Sequence, residues 1–178
     1  TWMWRNTDVL DFVGWLRAHN DALADPAPAV GFYGLDLYSL GASMKAVSAY
    51  RDVHDPPAAG RARRRYECLQ PFGGESSEYG RAVLLGVSDS CRRHVLEELV
   101  SLRRHAADYL RRDGVAAEDE YFFAEQNARL VRNAESYYRA MFGGRVESWN
   151  RRDRHMMETL DALLGHVRRV SGSARAVV

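Results

Sequence analysis

Three stretches of helical length follow one another in the second half of the chain, roughly Asp89 to Arg112, Ala117 to Phe142 and Glu147 to Ser171, separated by little more than Gly114 and Gly143-Gly144. Connections that short favour consecutive helices folding back on one another, so this half is predicted to be long, antiparallel, packed helices. At helical spacing the last of them carries Trp149, Met156, Leu160, Leu163 or Leu164, and Val167 on one face. Continued backwards, that face takes in Arg152 and Asp153. Glu147, Arg151, Arg154, Glu158, Asp161 and Arg168 supply solvated charge opposite, with Glu147/Arg151 and Arg154/Glu158 as i,i+4 neighbours. Burying Arg152 and Asp153 costs several kcal/mol per ion unless each is paired, and adjacent residues on a helix do not face one another. Their partners are expected from elsewhere in the chain.

The first third reads differently. A helix is predicted from Thr7 to His19, N-capped by Asn6 or Thr7, with Val9, Phe12, Val13 and Leu16 inward. After the loop "DALADPAPA", the stretch "VGFYGLDLY" (Val30 to Tyr38) is short, apolar and bounded by turn formers, as suits a parallel strand buried on both faces. A helix from about Leu40 to Val53 follows, and helix, strand, helix is an α/β fragment. Shorter helices are predicted near Gly60 to Leu69 and Ser77 to Leu85, and "ARAVV" at the end reads as a return to the sheet. The expected fold class is mainly α, with long antiparallel helices inserted in or attached to an α/β (parallel-sheet) fragment. Residues 1–55 would form that fragment, 56–172 the helical insertion and 173–178 the start of a returning strand. Opening on "TWMWRN" and closing on "ARAVV", the chain reads as a piece of a longer protein, with the rest of that parent chain as a partner.

Composition narrows the function classes. The 178 residues, 46% of them hydrophobic, suffice for one sizeable core, and 25 basic against 24 acidic side chains leave no field to draw nucleic acid or an acidic membrane. Every basic residue but Lys45 is an arginine, which reads as coding bias, and "RARRRY" (Arg61 to Tyr66) spreads around a helix axis as a solvated face. No apolar run approaches the roughly 18 residues that would span a bilayer. Cys68 and Cys91 are too few for a disulfide framework or a zinc site and read as reduced thiols in a cytoplasmic protein.

Several positions could carry chemistry. Gln126 and Asn133 share the inward stripe of their helix with Phe123, Leu130, Tyr137 and Met141, and buried amides require partners. They form either a network that fixes helix register or the polar floor of a cleft. Asp36 falls at the carboxyl end of the predicted strand, where open parallel sheets place ligands, or it caps a turn. Trp2 and Trp4 would line a pocket for a bulky organic substrate or complete a core. His155, beside Arg152 and Asp153, would titrate near neutrality if it is not simply a surface residue. Phosphate loop, nucleophile elbow and H-E-x-x-H motif are all absent, no histidines have metal-ligand spacing, and neither cofactor nor metal is implied.

The stretches "TWMWRN", "VLDFVGWLRAHN", "VGFYGLDLYSL", "AEQNARLVRNAESYYRAMF" and "SWNRRDRHMMETL" together resemble the erythromycin esterase family, also described as succinoglycan-biosynthesis-like, over nearly the whole chain. The resemblance implies an α/β protein with a helical insertion and a deep cleft in which a histidine activates water to hydrolyse a carboxylic ester or, in macrolide-resistance members, a lactone. That family's catalytic histidine and glutamates belong to segments before Thr1, and a W-A-H-N histidine motif to one after Val178. On the resemblance, Arg152 and Asp153 project toward the cleft as the catalytic residues of this part, with Asp36 and Trp4 near its edge. Arg152 would steady a developing oxyanion and Asp153 would orient it. The alternative is a non-enzymatic helical interaction or assembly module whose polar stripe only fixes packing.

Overall fold

The computed structural model describes residues 4–24, 29–72, 76–111, 115–143 and 145–178. Among the described residues the helices run in order: α1 (Thr7–Asp21), α2 (Leu40–His54), α3 (Pro56–Tyr66), α4 (Ser76–Leu84), α5 (Arg92–Arg104), α6 (Ala106–Leu110), α7 (Val115–Met141) and α8 (Arg145–Ser171), with a 3-10 helix at Glu67–Phe72. Local chemistry sets several ends. Asn6 caps α1 by accepting from the Val9 amide at 2.9 Å, and Asp55 caps α3 ahead of Pro56 and Pro57, whose missing N–H groups cost nothing at a helix start. Gly86, at φ +68, closes α4 by letting the Val87 amide reach back to the Ala82 carbonyl. The single helix expected over residues 89–112 is two. At His105 the ring Nδ1 takes the Ser101 carbonyl at 2.8 Å, so the His105 amide turns to Leu102 instead and the helix breaks.

The long α7 is the hub, packing against α2, α4, α5, α6 and α8. Its inner face supplies Tyr121, Ala124, Ala128, Val131, Ala134 and Tyr138 to one core, which Leu40, Met44 and Val47 of α2 enter from the other side. Leu37 and α2 thus share a core with the helices that follow them. Beneath α2, a charged knot closes the other end of the bundle. Arg51 and Glu98, both with fully buried side chains, pair at 3.0 Å, and Arg65 reaches the second Glu98 oxygen at 2.7 Å.

Among the described residues no strand forms, which corrects the expected parallel-sheet fragment. Residues 29–35 have no regular secondary structure, because a strand needs a neighbouring strand to take its backbone groups. Here the Asn20 side chain takes both the N–H and the C=O of Val30, each at 2.9 Å. Phe32, expected to be buried, is 65% exposed, whereas Leu37 is fully buried and anchors the turn into α2. Residues 173–178 likewise form no strand. In α1 only Leu16 is buried, and Phe12 and Val13 face outward. Cys68 and Cys91, expected as free thiols, are joined in a disulfide with Cα atoms 6.0 Å apart, which removes the argument from reduced thiols for a cytoplasmic protein. Among the described residues no helix is long and apolar enough to cross a membrane.

Candidate functional site

The seam between α7 and α8 is polar, and along α8 most of the polar positions that turn inward are not the expected ones. The buried positions of α8 are Ser148, His155, Thr159, Leu163 and His166; of the predicted line of Trp149, Met156, Leu160, Leu163 or Leu164, and Val167, only Leu163 is among them, and the rest lie one residue away. That rotation separates the two charges. Arg152, four residues after Ser148, turns inward, while Asp153 falls on the exposed side, correcting its expected place on the inner face. Glu158, expected to pair with Arg154, instead crosses to Arg129 of α7 at 3.0 Å.

Arg152 finds its partner 116 residues earlier in the chain. Its Nε donates to Asp36 Oδ1 at 3.0 Å and its Nη2 to Oδ2 at 2.6 Å, the two-point geometry that only a guanidinium offers a carboxylate. The guanidinium also lies over the rings of Tyr38, at 5.2 Å, and Trp149, at 5.4 Å. Burial alone would raise the Asp36 carboxyl. The Arg152 hydrogen bond, the Leu37 amide at 2.7 Å and the guanidinium charge together outweigh it and hold the group below the usual carboxylate range. Reciprocally, the bond to Asp36 raises the Arg152 guanidinium against the opposing effect of burial.

Asp36 also borders a cleft of about 340 Å³. Aromatic rings line it, Phe32 and Tyr33 from the segment before α2 and Phe122 and Phe123 from α7, with Tyr33 stacked on Phe123 at 6.2 Å between centroids. The floor carries Gln126 from α7 together with His155 and Thr159 from α8. Burial, helped by the Arg129 charge, pushes the His155 imidazole down to about 4, although Glu158 and Asp36 oppose it. The ring is therefore neutral at physiological pH. Asn133 points its amide nitrogen at His155 Nδ1, 2.9 Å away, and since that nitrogen only donates, the ring proton sits on Nε2. Asp36, Gln126 and His155 thus line the cleft, with Arg152 joined to it through Asp36 and Asn133 through His155. Trp4, at 68% exposed ahead of α1, does not join them, and Trp2 lies outside the described residues. Among the described residues no group of three or more His, Cys, Asp or Glu is arranged to hold a metal ion.

The erythromycin esterase family matches residues 1–178, the full length of the chain. The chain belongs to the erythromycin esterase family. No solved structure matches it. In this erythromycin esterase family member, Asp36, Gln126 and His155 of the residues singled out from sequence line the cleft, whereas its aromatic lining was not expected. The sequence pattern predicts Phe32 and Tyr33 in a buried strand and Phe123 on a core stripe, yet all three line the cleft and Phe123 is 43% exposed. The one available signal was the consecutive run Tyr121-Phe122-Phe123, which exceeds what one buried helix face can absorb.

Proposed function

We propose that this chain is the central part of a hydrolase acting on a carboxylic ester or lactone, with the α7–α8 cleft receiving the substrate and Arg152 acting as its electrostatic residue. The observation that carries the reading is the two-point Asp36–Arg152 pair at the edge of an aromatic cleft, in a chain that matches a hydrolase family along its whole length. An arginine stays charged at any working pH and can stabilise oxygen charge as it develops on a tetrahedral intermediate. Holding it by Asp36 and beside Tyr38 fixes its direction before substrate arrives, which limits reorganisation during reaction. Asp36 thereby takes the orienting role first expected of Asp153.

His155 is proposed as a donor through Nε2–H rather than as the base that activates water, because Asn133 occupies its Nδ1 and burial keeps it neutral. A histidine base and its carboxylate are assigned to segments of the parent protein outside residues 1–178. Residues 1–178 alone should then turn over no ester, while the full-length enzyme hydrolyses members of a panel of aryl, alkyl and macrocyclic esters. In that enzyme Asp36→Asn, which weakens the hold on Arg152, should lower kcat/KM by roughly tenfold or more. Robust turnover by residues 1–178 would overturn the placement of the base. Absence of turnover from the full-length protein on every ester would return the chain to the interaction-module reading.

A further inference from the structure

Trp149 stands where the α8 pattern predicts a core residue, yet half of it is exposed. An indole left in that state forgoes much of the burial that favours tryptophan in a core, so its contacts matter more than its burial. It touches Arg152. The two are three residues apart on α8, which makes them neighbours on the helix surface, and the guanidinium carbon lies over the indole, 5.4 Å from its centre. Tyr38, from the turn ahead of α2, offers the same guanidinium a second ring at 5.2 Å.

Two kinds of restraint therefore act on one side chain. Asp36 binds in the plane of the guanidinium, at Nε and Nη2. The rings act out of that plane, because a cation is drawn to the face of an aromatic ring. The third nitrogen, Nη1, has no hydrogen-bond partner among the described residues. It is not sealed from water either, since the buried side-chain atom left without a partner among those residues is the Tyr66 hydroxyl. The Nη1 N–H groups are what Arg152 has left to offer a ligand.

We propose that Trp149, together with Tyr38, is a positioning residue that clamps the Arg152 guanidinium so that Nη1 is presented to the oxygen gaining charge during ester hydrolysis. The inference rests on the hydrolase reading for the reacting oxygen, and on the ring contacts alone for the clamp. An arginine side chain loses rotamer freedom when it is fixed, and fixing it in advance removes that cost from the reacting step.

The experiment compares Trp149→Leu with Trp149→Phe in the full-length protein. Leucine removes the ring at a half-exposed helical position, and phenylalanine returns one. Trp149→Leu should lower kcat for an aryl ester by roughly tenfold while KM stays within about twofold, because the restraint bears on a donor used in the transition state. Trp149→Phe should recover most of that loss. A second readout needs no turnover: solvent exchange of the Arg152 Nε–H, followed by NMR on arginine-labelled protein and assigned by its absence from Arg152→Met. It should quicken several-fold in Trp149→Leu and return toward wild type in Trp149→Phe, with helix content unchanged in both. Exchange unmoved by Trp149→Leu, kcat unmoved in a protein that does turn over ester, or losses that phenylalanine does not repair would each overturn the proposal. Failure of the hydrolase reading is separable. Faster exchange in a protein that hydrolyses no ester would keep the clamp and remove the hydrolase, whereas normal ester turnover with exchange unmoved would remove the clamp and keep the hydrolase.

Discussion

At the scale of single residues, His155 couples the site to pH. Its imidazole is lowered from 6.5 to about 4 in the folded chain, chiefly by burial, so between those values the unfolded chain binds a proton that the folded chain does not. The associated stability is complete above about pH 6.5 and is lost as pH falls toward about 4, by up to roughly 3 kcal/mol across the window. Asp36, also depressed, gives way at still lower pH, since its stabilisation is lost only as pH falls through its folded value. Urea melts at several pH values should show the first loss, and His155→Gln should flatten the dependence between pH 6.5 and 4. An unchanged slope in that variant would assign the loss to other groups.

At the scale of elements, α4 lies so close to α7 that only glycine fits at the crossing. A Cβ on Gly80 would sit 1.9 Å from the Tyr138 carbonyl oxygen, which is backbone and cannot swing aside. Gly80→Ala should therefore push the helices apart and destabilise the protein by roughly 1–3 kcal/mol, measurable by thermal or urea unfolding. A neutral result would mean that the crossing is looser than described. The α7–α8 seam explains what sequence could and could not convey. Helix existence was legible from periodicity and glycine breaks, and α7 and α8 fall close to where they were expected, whereas the helix expected over residues 89–112 is two. The inward face of α8 was not, because Ser148, His155, Thr159 and His166 read as a solvent face until their partners are known. Asn133 and Asp119 of α7 supply such partners for the two histidines, and that pairing makes burying them tolerable. The same rotation decided the fate of the charged pair, placing Arg152 inside and Asp153 outside. The segment over residues 29–35 failed for a different reason: apolar composition predicts burial, but a strand also needs a partner, and the Asn20 side chain took that place at Val30.

At the scale of the whole molecule, two long-range ties hold segments that helix packing alone would leave loose. One is the Cys68–Cys91 disulfide, which spans 23 residues and pins the 3-10 helix to the start of α5. Closing a loop of that length constrains the unfolded chain by roughly 3 kcal/mol, so reduction should lower stability by about that much, with the mass shift of two free thiols confirming the change. Unaltered stability after complete reduction would show that the bond is incidental to the fold. The other tie is Arg152 to Asp36, which joins α8 to the segment ahead of α2. It is only partly buried, with side chains 22% and 35% exposed, so its removal should cost little stability compared with a pair sealed from water. The central claim is that this tie serves the cleft more than the fold. The most direct measurement is made on Arg152→Met in the full-length protein, with unfolding and, on the proposed reading, ester kinetics followed on the same preparation. The account predicts a stability change within about 1 kcal/mol and a fall in kcat/KM of roughly 10²–10³-fold. A variant destabilised by roughly 3–5 kcal/mol that keeps its rate per folded molecule would contradict it.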